Sequence, residues 1–317
     1  MKRFGSCSRR RAMSALFAVL LGACASATAP SAPDAAGAVS YARADSARLD
    51  AKSSFVSFPV TDGGRTWSTA GILRVPYASG TQPRPAIVIV HGSGGVDSRG
   101  EHYAAALNSA GFVTLEIDLW APRHVRSAAE RPRNVGETLP DAFAALRFLS
   151  EEAHDVDPTR IGIMGFSWGG VVSMLSATQA NRDRYATGAQ AFAAHAPLYP
   201  VCWIYNRAPG YEFTELTGAP VFIQAGTADA YDRPDRCVTL QQSLPPATQA
   251  IVSVRMLDGA THAWERREPD ATINDPFSHE GQGGPVDLRF SERATRASTE
   301  AAVAFFENRL GSVSRAP

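Results

Sequence analysis

Beyond residue 85 the chain alternates short apolar runs with helix-like segments, and no other feature narrows its fold so far. The runs fall at 86–90, 112–117, 161–166, 189–194, 221–225 and 251–256, all of strand length. Strands covered on both faces lose the polar half of the usual alternation, so runs of this kind mark a parallel sheet. Helix-like segments at 101–110, 139–150, 168–178, 234–244 and 297–310 interleave with them. Strand–helix–strand units with right-handed crossovers predict an α/β fold: a mostly parallel central sheet with helices on both faces. Ahead of it, residues 54–60 and 66–75 flank the turn signal Asp62-Gly63-Gly64, which predicts an N-terminal antiparallel hairpin. Two stretches, 121–136 and 263–292, break the rhythm and read as long loops of the kind that carry function.

One of the strand-to-helix junctions carries chemistry. Gly165-Phe166-Ser167-Trp168-Gly169 follows the run ending at 166 and opens the helix from 168, the sequence of a nucleophile elbow. A bare G-x-S-x-G is weak evidence; in a strand–turn–helix context it is specific. The rival reading is a phosphate-binding turn, but the G-x-G-x-x-G spacing and its acidic partner are missing. His91-Gly92-Ser93-Gly94-Gly95 ends an earlier run, where a second backbone N–H can complete an oxyanion hole. The expected donors are the backbone N–H groups of Ser93 and Trp168, with His91 bracing the loop. Asp229 and His262 each lie just past a later run, giving the chain order Ser167, Asp229, His262 of a hydrolase triad. Asp232, Asp235 and Asp258 are rivals for the acid; Asp258, four residues before His262, reads as a turn cap. His195 and His102 are weaker candidates for the base. Neither metal-ligand spacing nor a cofactor motif is present, so no metal and no cofactor is expected.

The N-terminus reads as an address. Lys2, Arg3, Arg9, Arg10 and Arg11 precede an apolar run over 12–23, the form of a secretory signal spanning 1–24. Leu21-Gly22-Ala23-Cys24 is similar to a bacterial lipobox, which would lipidate Cys24 and tether the protein to a membrane; the competing A-x-A site over 23–25 would release it. The expected location is therefore the periplasm, as a soluble or membrane-anchored lipoprotein, or the extracellular medium. Residues 25–50, rich in Ala, Ser and Pro, read as a tether, 51–312 as one folded domain and 313–317 as a tail. The 31 basic and 31 acidic residues balance, and removing 1–23 leaves 26 against 31. That charge excludes a nucleic-acid partner and leaves a small-molecule ester as the expected one. Lys2 and Lys52 are the only lysines, which excludes Walker loops and Ser-Lys dyads. After export only Cys202 and Cys237 remain in the body, and an oxidising compartment favours pairing them; two unrelated buried thiols are the alternative.

Taken in order, the HGSGG loop, Gly111 to Arg123, Asp157 to Gly170, Tyr199-Pro200-x-Cys202, Gly226-x-x-Asp229 with Cys237, and DGATHAW resemble the dienelactone hydrolase family of α/β-hydrolases, in particular its exported serine members. The resemblance, running from about 86 to 310, implies the α/β-hydrolase fold, a Ser-His-Asp triad acting through an acyl-enzyme, and a disulfide between Cys202 and Cys237. Dienelactone hydrolase itself uses a cysteine nucleophile, whereas position 167 is serine, so the expectation is hydrolysis of a carboxylic ester or lactone rather than of dienelactone itself. An acyltransferase or a prolyl-oligopeptidase-like peptidase could use the same residues. A non-catalytic binding module would be expected to have lost one of them.

Overall fold

A computed structural model describes residues 51–77 and 83–311. The expected signal, the lipidated Cys24, the tether and the tail at 313–317 lie outside the described residues. The chain opens with β1 (Ala51–Asp62) and β2 (Arg65–Pro76), antiparallel and in register from Ala51↔Pro76 to Asp62↔Arg65 around Gly63-Gly64. Then come β3 (Arg84–Val90), α1 (Ser98–Ser109), β4 (Val113–Asp118), α2 (Leu139–Glu151), β5 (Val156–Phe166) and α3 (Trp168–Ser176). The second half supplies α4 (Gln179–Tyr185), β6 (Ala194–Leu198), β7 (Val221–Gly226), α5 (Arg236–Ser243), α6 (Pro246–Gln249), β8 (Val252–Leu257), β9 (Ala271–Asp275), α7 (Ser278–Gly281), β10 (Gly284–Leu288) and α8 (Glu292–Leu310).

Eight strands form one sheet in the order β1-β2-β4-β3-β5-β6-β7-β8. Only the β1–β2 and β2–β4 pairs are antiparallel; from β4 through β8 every ladder is parallel. The apolar runs have the origin expected of them. In β3, Ala86, Val88 and Val90 join the core on the side of α2 and α3, while Ile87 and Ile89 join the core on the side of α1 and α8. Successive side chains point to opposite faces, so a strand with a helix layer on each side is apolar throughout.

Three sequence expectations are corrected. The run at 189–194 lies mostly ahead of its strand, because β6 is Ala194–Leu198 and includes His195 and Pro197. His195 is fully buried, with Nδ1 3.0 Å from the carbonyl of Ser173 and 3.3 Å from Ser176 Oγ, while Nε2 has no hydrogen-bond partner. Pro197 has no N–H, and the β6–β7 ladder is correspondingly sparse, with partners at His195↔Val221 and Leu198↔Gln224. The stretch 263–292 is not all loop: β9 and β10 pair antiparallel in a separate two-stranded sheet. Helix α8 starts at Glu292, well before 297, because Ser291 caps it by accepting from the N–H of Ala294.

Candidate active site

The parallel order β5-β6-β7-β8 places the ends of four strands side by side, and three of them carry the predicted residues. Ser167 follows β5, Asp229 follows β7 and His262 follows β8, all at the carboxyl edge where α/β sheets assemble sites. All three are buried.

Ser167 sits at φ 52°, ψ −107°, a conformation that L-residues adopt only under constraint. Its N–H donates to the carbonyl of Leu198 at the end of β6, and its own carbonyl accepts from Val171 in α3. The constraint is steric. A Cβ on Gly169 would lie 2.1 Å from the carbonyl oxygen of Val90, so the helix can start this close to β3 only with glycine there. Ser167 and Trp168 line one cavity, together with Ser93, Val171 and Tyr231.

Asp229 and His262 form a buried pair, Nδ1 to Oδ2 at 2.7 Å. The backbone N–H of Tyr231 donates to Asp229 Oδ1 at 2.9 Å and fixes the carboxylate's orientation. With Nδ1–H donating to Asp229, Nε2 carries the lone pair. Tyr199 and Tyr231 pack on the imidazole, ring centroids 4.6 and 4.4 Å away.

The HGSGG loop is held from several sides. His91 Nε2 accepts from the N–H of Leu119, so Nδ1 carries the proton and donates to the carbonyl of Gly92 at 2.7 Å. Gly95 N–H also donates to that carbonyl, and the Trp120 indole donates to the carbonyl of Ser93. His91 is thus a brace for the loop. The rivals for the acid are placed elsewhere. Asp258 is 91% exposed near Arg293, and Asp235 precedes α5 without capping it through its side chain. Asp232 accepts from the N–H groups of Cys202 and Trp203; burial, helped by the nearby Asp229 charge, pushes its pKa up to about 7. His195 is a core residue, whose burial pushes its pKa down to about 4, and His102 bonds Thr299 on α8. Cys202 and Cys237 form the expected disulfide, Cα atoms 5.1 Å apart. Their sulfurs lie within 4.8 Å of an Asp232 oxygen, but a disulfide has no thiolate to offer a metal.

Sequence reasoning missed a buried polar chain behind the imidazole. Asp97 caps α1 and pairs with Arg99, Nη2 to Oδ2 at 2.6 Å. Arg99 Nη1 donates to Tyr199 Oη at 3.2 Å, and that hydroxyl donates to Glu265 Oε1 at 2.5 Å. Burial opposes the charge on Arg99, yet Tyr199, Asp97 and Glu265 outweigh it and hold the guanidinium protonated. Burial likewise pushes Glu265 up to about 7 against the pull of Arg99 and Tyr199. A Cβ on Gly92 would lie 2.9 Å from Arg99 Nη2, which shows how closely the guanidinium underlies the HGSGG loop. Only the position of Glu265, three residues after His262, could have hinted at this chain.

The strand order, the strained serine at a strand–helix turn and the acid–histidine pair define an α/β-hydrolase. Residues 71–310 match the dienelactone hydrolase family, and the chain belongs to it. Two curated relatives match over part of their length. The "Probable 2-oxo-3-(5-oxofuran-2-ylidene)propanoate lactonase" of Bradyrhizobium sp is 35% identical over 101 residues, 29% of this chain and 40% of its own. Carboxylesterase NlhH of Mycobacterium tuberculosis is 31% identical over 153 residues, 46% of this chain and 43% of its own. The matched stretches thus span less than half of these relatives. Among solved structures, esterase 2 of Thermogutta terrifontis, phosphorylated by paraoxon, superposes with a TM-score of 0.58 at 16% identity, covering 83% of this chain and 96% of that one. At that identity the likeness speaks to the fold.

Proposed function

We propose that the protein hydrolyses a carboxylic ester or lactone through an acyl-enzyme on Ser167. The observation that carries the reading is the buried Asp229–His262 pair at the sheet edge that also holds the strained Ser167. In this reading His262 Nε2 takes the hydroxyl proton as Ser167 Oγ bonds to the ester carbonyl carbon. The carbonyl oxygen becomes the oxyanion, received by the backbone N–H groups of Ser93 and Trp168; each such donor contributes about 3 kcal/mol of transition-state stabilisation. The positive end of α3 lies behind the second donor. Collapse of the tetrahedral intermediate breaks the bond to the alcohol oxygen, which leaves with the proton from Nε2. Water then attacks the acyl-serine, with His262 taking its proton; the bond to Ser167 Oγ breaks as Nε2 returns that proton to the serine oxygen, and the acid is released. Asp229 keeps the proton on Nδ1 throughout and stabilises the imidazolium.

The Thermogutta esterase is phosphorylated by an organophosphate, so a fluorophosphonate is a fitting probe. Full-length protein should be labelled at Ser167, and Ser167→Ala should lose labelling and several orders of magnitude in kcat while keeping its thermal transition. Labelling at another residue, or turnover near wild type in the variant, would refute the assignment. We also propose, from the N-terminal sequence, export under a signal of residues 1–24 and a membrane tether through lipidated Cys24, with 25–50 as the linker and 51–312 as the hydrolase domain.

A further inference from the structure

The cavity that Ser167 lines has walls of two kinds. One is aromatic and aliphatic, including Trp168, Val171, Trp203 and Ile204. The other holds charge: Arg131 from the first long loop and Asp275 at the end of β9. An unopposed guanidinium there would make the cavity a receptor for anions, because a charge in a wall partly shielded from water is weakly screened.

Arg131 is opposed. Its Nη2 donates to Asp275 Oδ2 at 2.8 Å, with the two side chains only 13% and 6% exposed. Its Nη1 donates to the carbonyl of Ala128, and the guanidinium lies 5.6 Å from the ring centre of Phe277. Asp275 is fixed in turn: Oδ1 accepts from the N–H of Phe277 at 2.8 Å, and burial, together with that carboxylate's charge, raises the pKa of the neighbouring Tyr231 hydroxyl. The charged wall is therefore a neutral, internally bonded unit. Arg133 also borders the cavity but is exposed, where water and salt screen it.

We propose that Asp275 sets the charge selectivity of the site: by neutralising Arg131 it restricts the acyl group to uncharged aromatic or branched apolar acids. The proposal rests on the hydrolase reading, since the acyl group is the part of an ester that stays joined to Ser167. A carboxylate brought into the cavity would lose its hydration and meet Asp275 as well as Arg131, so its desolvation would go uncompensated. An aryl group would bury its faces against the indoles with no such loss. Remove the Asp275 charge alone, and the same wall becomes a carboxylate receptor.

The test uses two esters with one leaving group, para-nitrophenyl para-toluate and mono-para-nitrophenyl terephthalate, which differ by a methyl or a carboxylate at the far end of the acyl ring. Each kcat/KM is divided by the ester's own hydroxide rate, and the readout is the toluate-to-terephthalate ratio for the full-length protein. Wild type should favour toluate about tenfold or more. Asp275→Asn keeps an oxygen for the Phe277 N–H and should move the ratio toward terephthalate by roughly tenfold to a hundredfold, the size of one charge-assisted hydrogen bond. Arg131→Gln should move it the opposite way, and the double variant should return it to near the wild-type value. A ratio within one variant is insensitive to the fraction of folded enzyme, and the two single variants test the idea from opposite sides. Equal rates on the two esters in wild type, or single variants that leave the ratio unmoved, would overturn the proposal. A wild-type preference for terephthalate that vanishes in Arg133→Ala would place selectivity at the rim and overturn it too. Failure of the hydrolase reading looks different: neither ester is turned over and Ser167 takes up no fluorophosphonate.

Discussion

Replacing Asp229 with asparagine is the most discriminating single change. The carboxylate has two fixed partners, the Tyr231 N–H at Oδ1 and the His262 Nδ1–H at Oδ2. An amide has one oxygen and one NH2. If its oxygen stays on the Tyr231 N–H, its NH2 faces Nδ1, which must then accept; the imidazole proton moves to Nε2, where it blocks uptake of the Ser167 proton. Turning the amide over would set the NH2 against the Tyr231 N–H, a buried mismatch costing about 1–3 kcal/mol. The imidazolium of the transition state also loses its counter-charge, worth about 4 kcal/mol at 4 Å with an effective dielectric constant near 20. Together these give about 5–7 kcal/mol, a loss on the order of 10⁴ to 10⁵ in kcat/KM. The assay is the nitrophenolate release rate from an activated ester, followed from pH 6 to 10 beside the thermal transition. The variant should melt like the wild type and gain rate with hydroxide concentration. Asp258→Asn, at an exposed position, should change nothing. An Asp229→Asn enzyme within tenfold of wild type, correctly folded, would refute the tautomer argument and reopen the choice of acid.

The remaining predictions concern stability and location. Reducing the Cys202–Cys237 disulfide, whose partners are 35 residues apart, should cost about 3–4 kcal/mol in the chain-entropy account, read as a lower urea midpoint in dithiothreitol; no shift would reject that role. His195, with its pKa lowered to about 4 by burial, should contribute stability that is fully present above about 6.5 and is lost as pH falls through 4. The wild-type minus His195→Gln difference in unfolding free energy should therefore fall by about 3 kcal/mol between pH 7 and 4, and a flat difference would contradict the buried neutral imidazole. Cys24→Ala should move the protein from the membrane to the soluble fraction with unchanged activity per molecule; wild type already soluble and unlabelled by palmitate would show cleavage at the A-x-A site.

The residues that the sequence made legible are those whose roles impose local grammar. Gly165 and Gly169 are demanded by the elbow itself, and Asp229 and His262 stand directly after strands, so motif and periodicity reach them together. Tyr199, Arg99 and Glu265 have no such grammar. They come from α1, the end of β6 and the loop after β8, and only the folded sheet brings them together. An arginine and a glutamate in such positions would ordinarily be read as solvated. The β6 boundary differs for a related reason: His195 and Pro197 look like the end of a strand, and nothing in the local sequence shows that Ser173 and Ser176 lie against His195 Nδ1. The β9–β10 pair was illegible because it packs short, largely polar strands against each other, leaving little apolar alternation to detect.

The chain of Asp97, Arg99, Tyr199 and Glu265 divides the site into a stiff side and a variable side. Arg99 lies against the HGSGG loop, Tyr199 is one residue beyond the carbonyl that holds Ser167, and Glu265 is three residues past His262. Moving any one of these loops would leave a buried charge without its partner, so the loops that bear the chemistry are locked to one another from behind. Arg131 and Asp275, which also line the cavity, pair with each other and make none of that chain's hydrogen bonds. Segments that face the cavity and take no part in that chain can then change, by substitution or by insertion, while the chain keeps its own loops in place. Specificity is then the inexpensive thing to change, and mutations selected for a new ester should accumulate in 121–136 and 271–287 while Arg99 and Glu265 stay fixed.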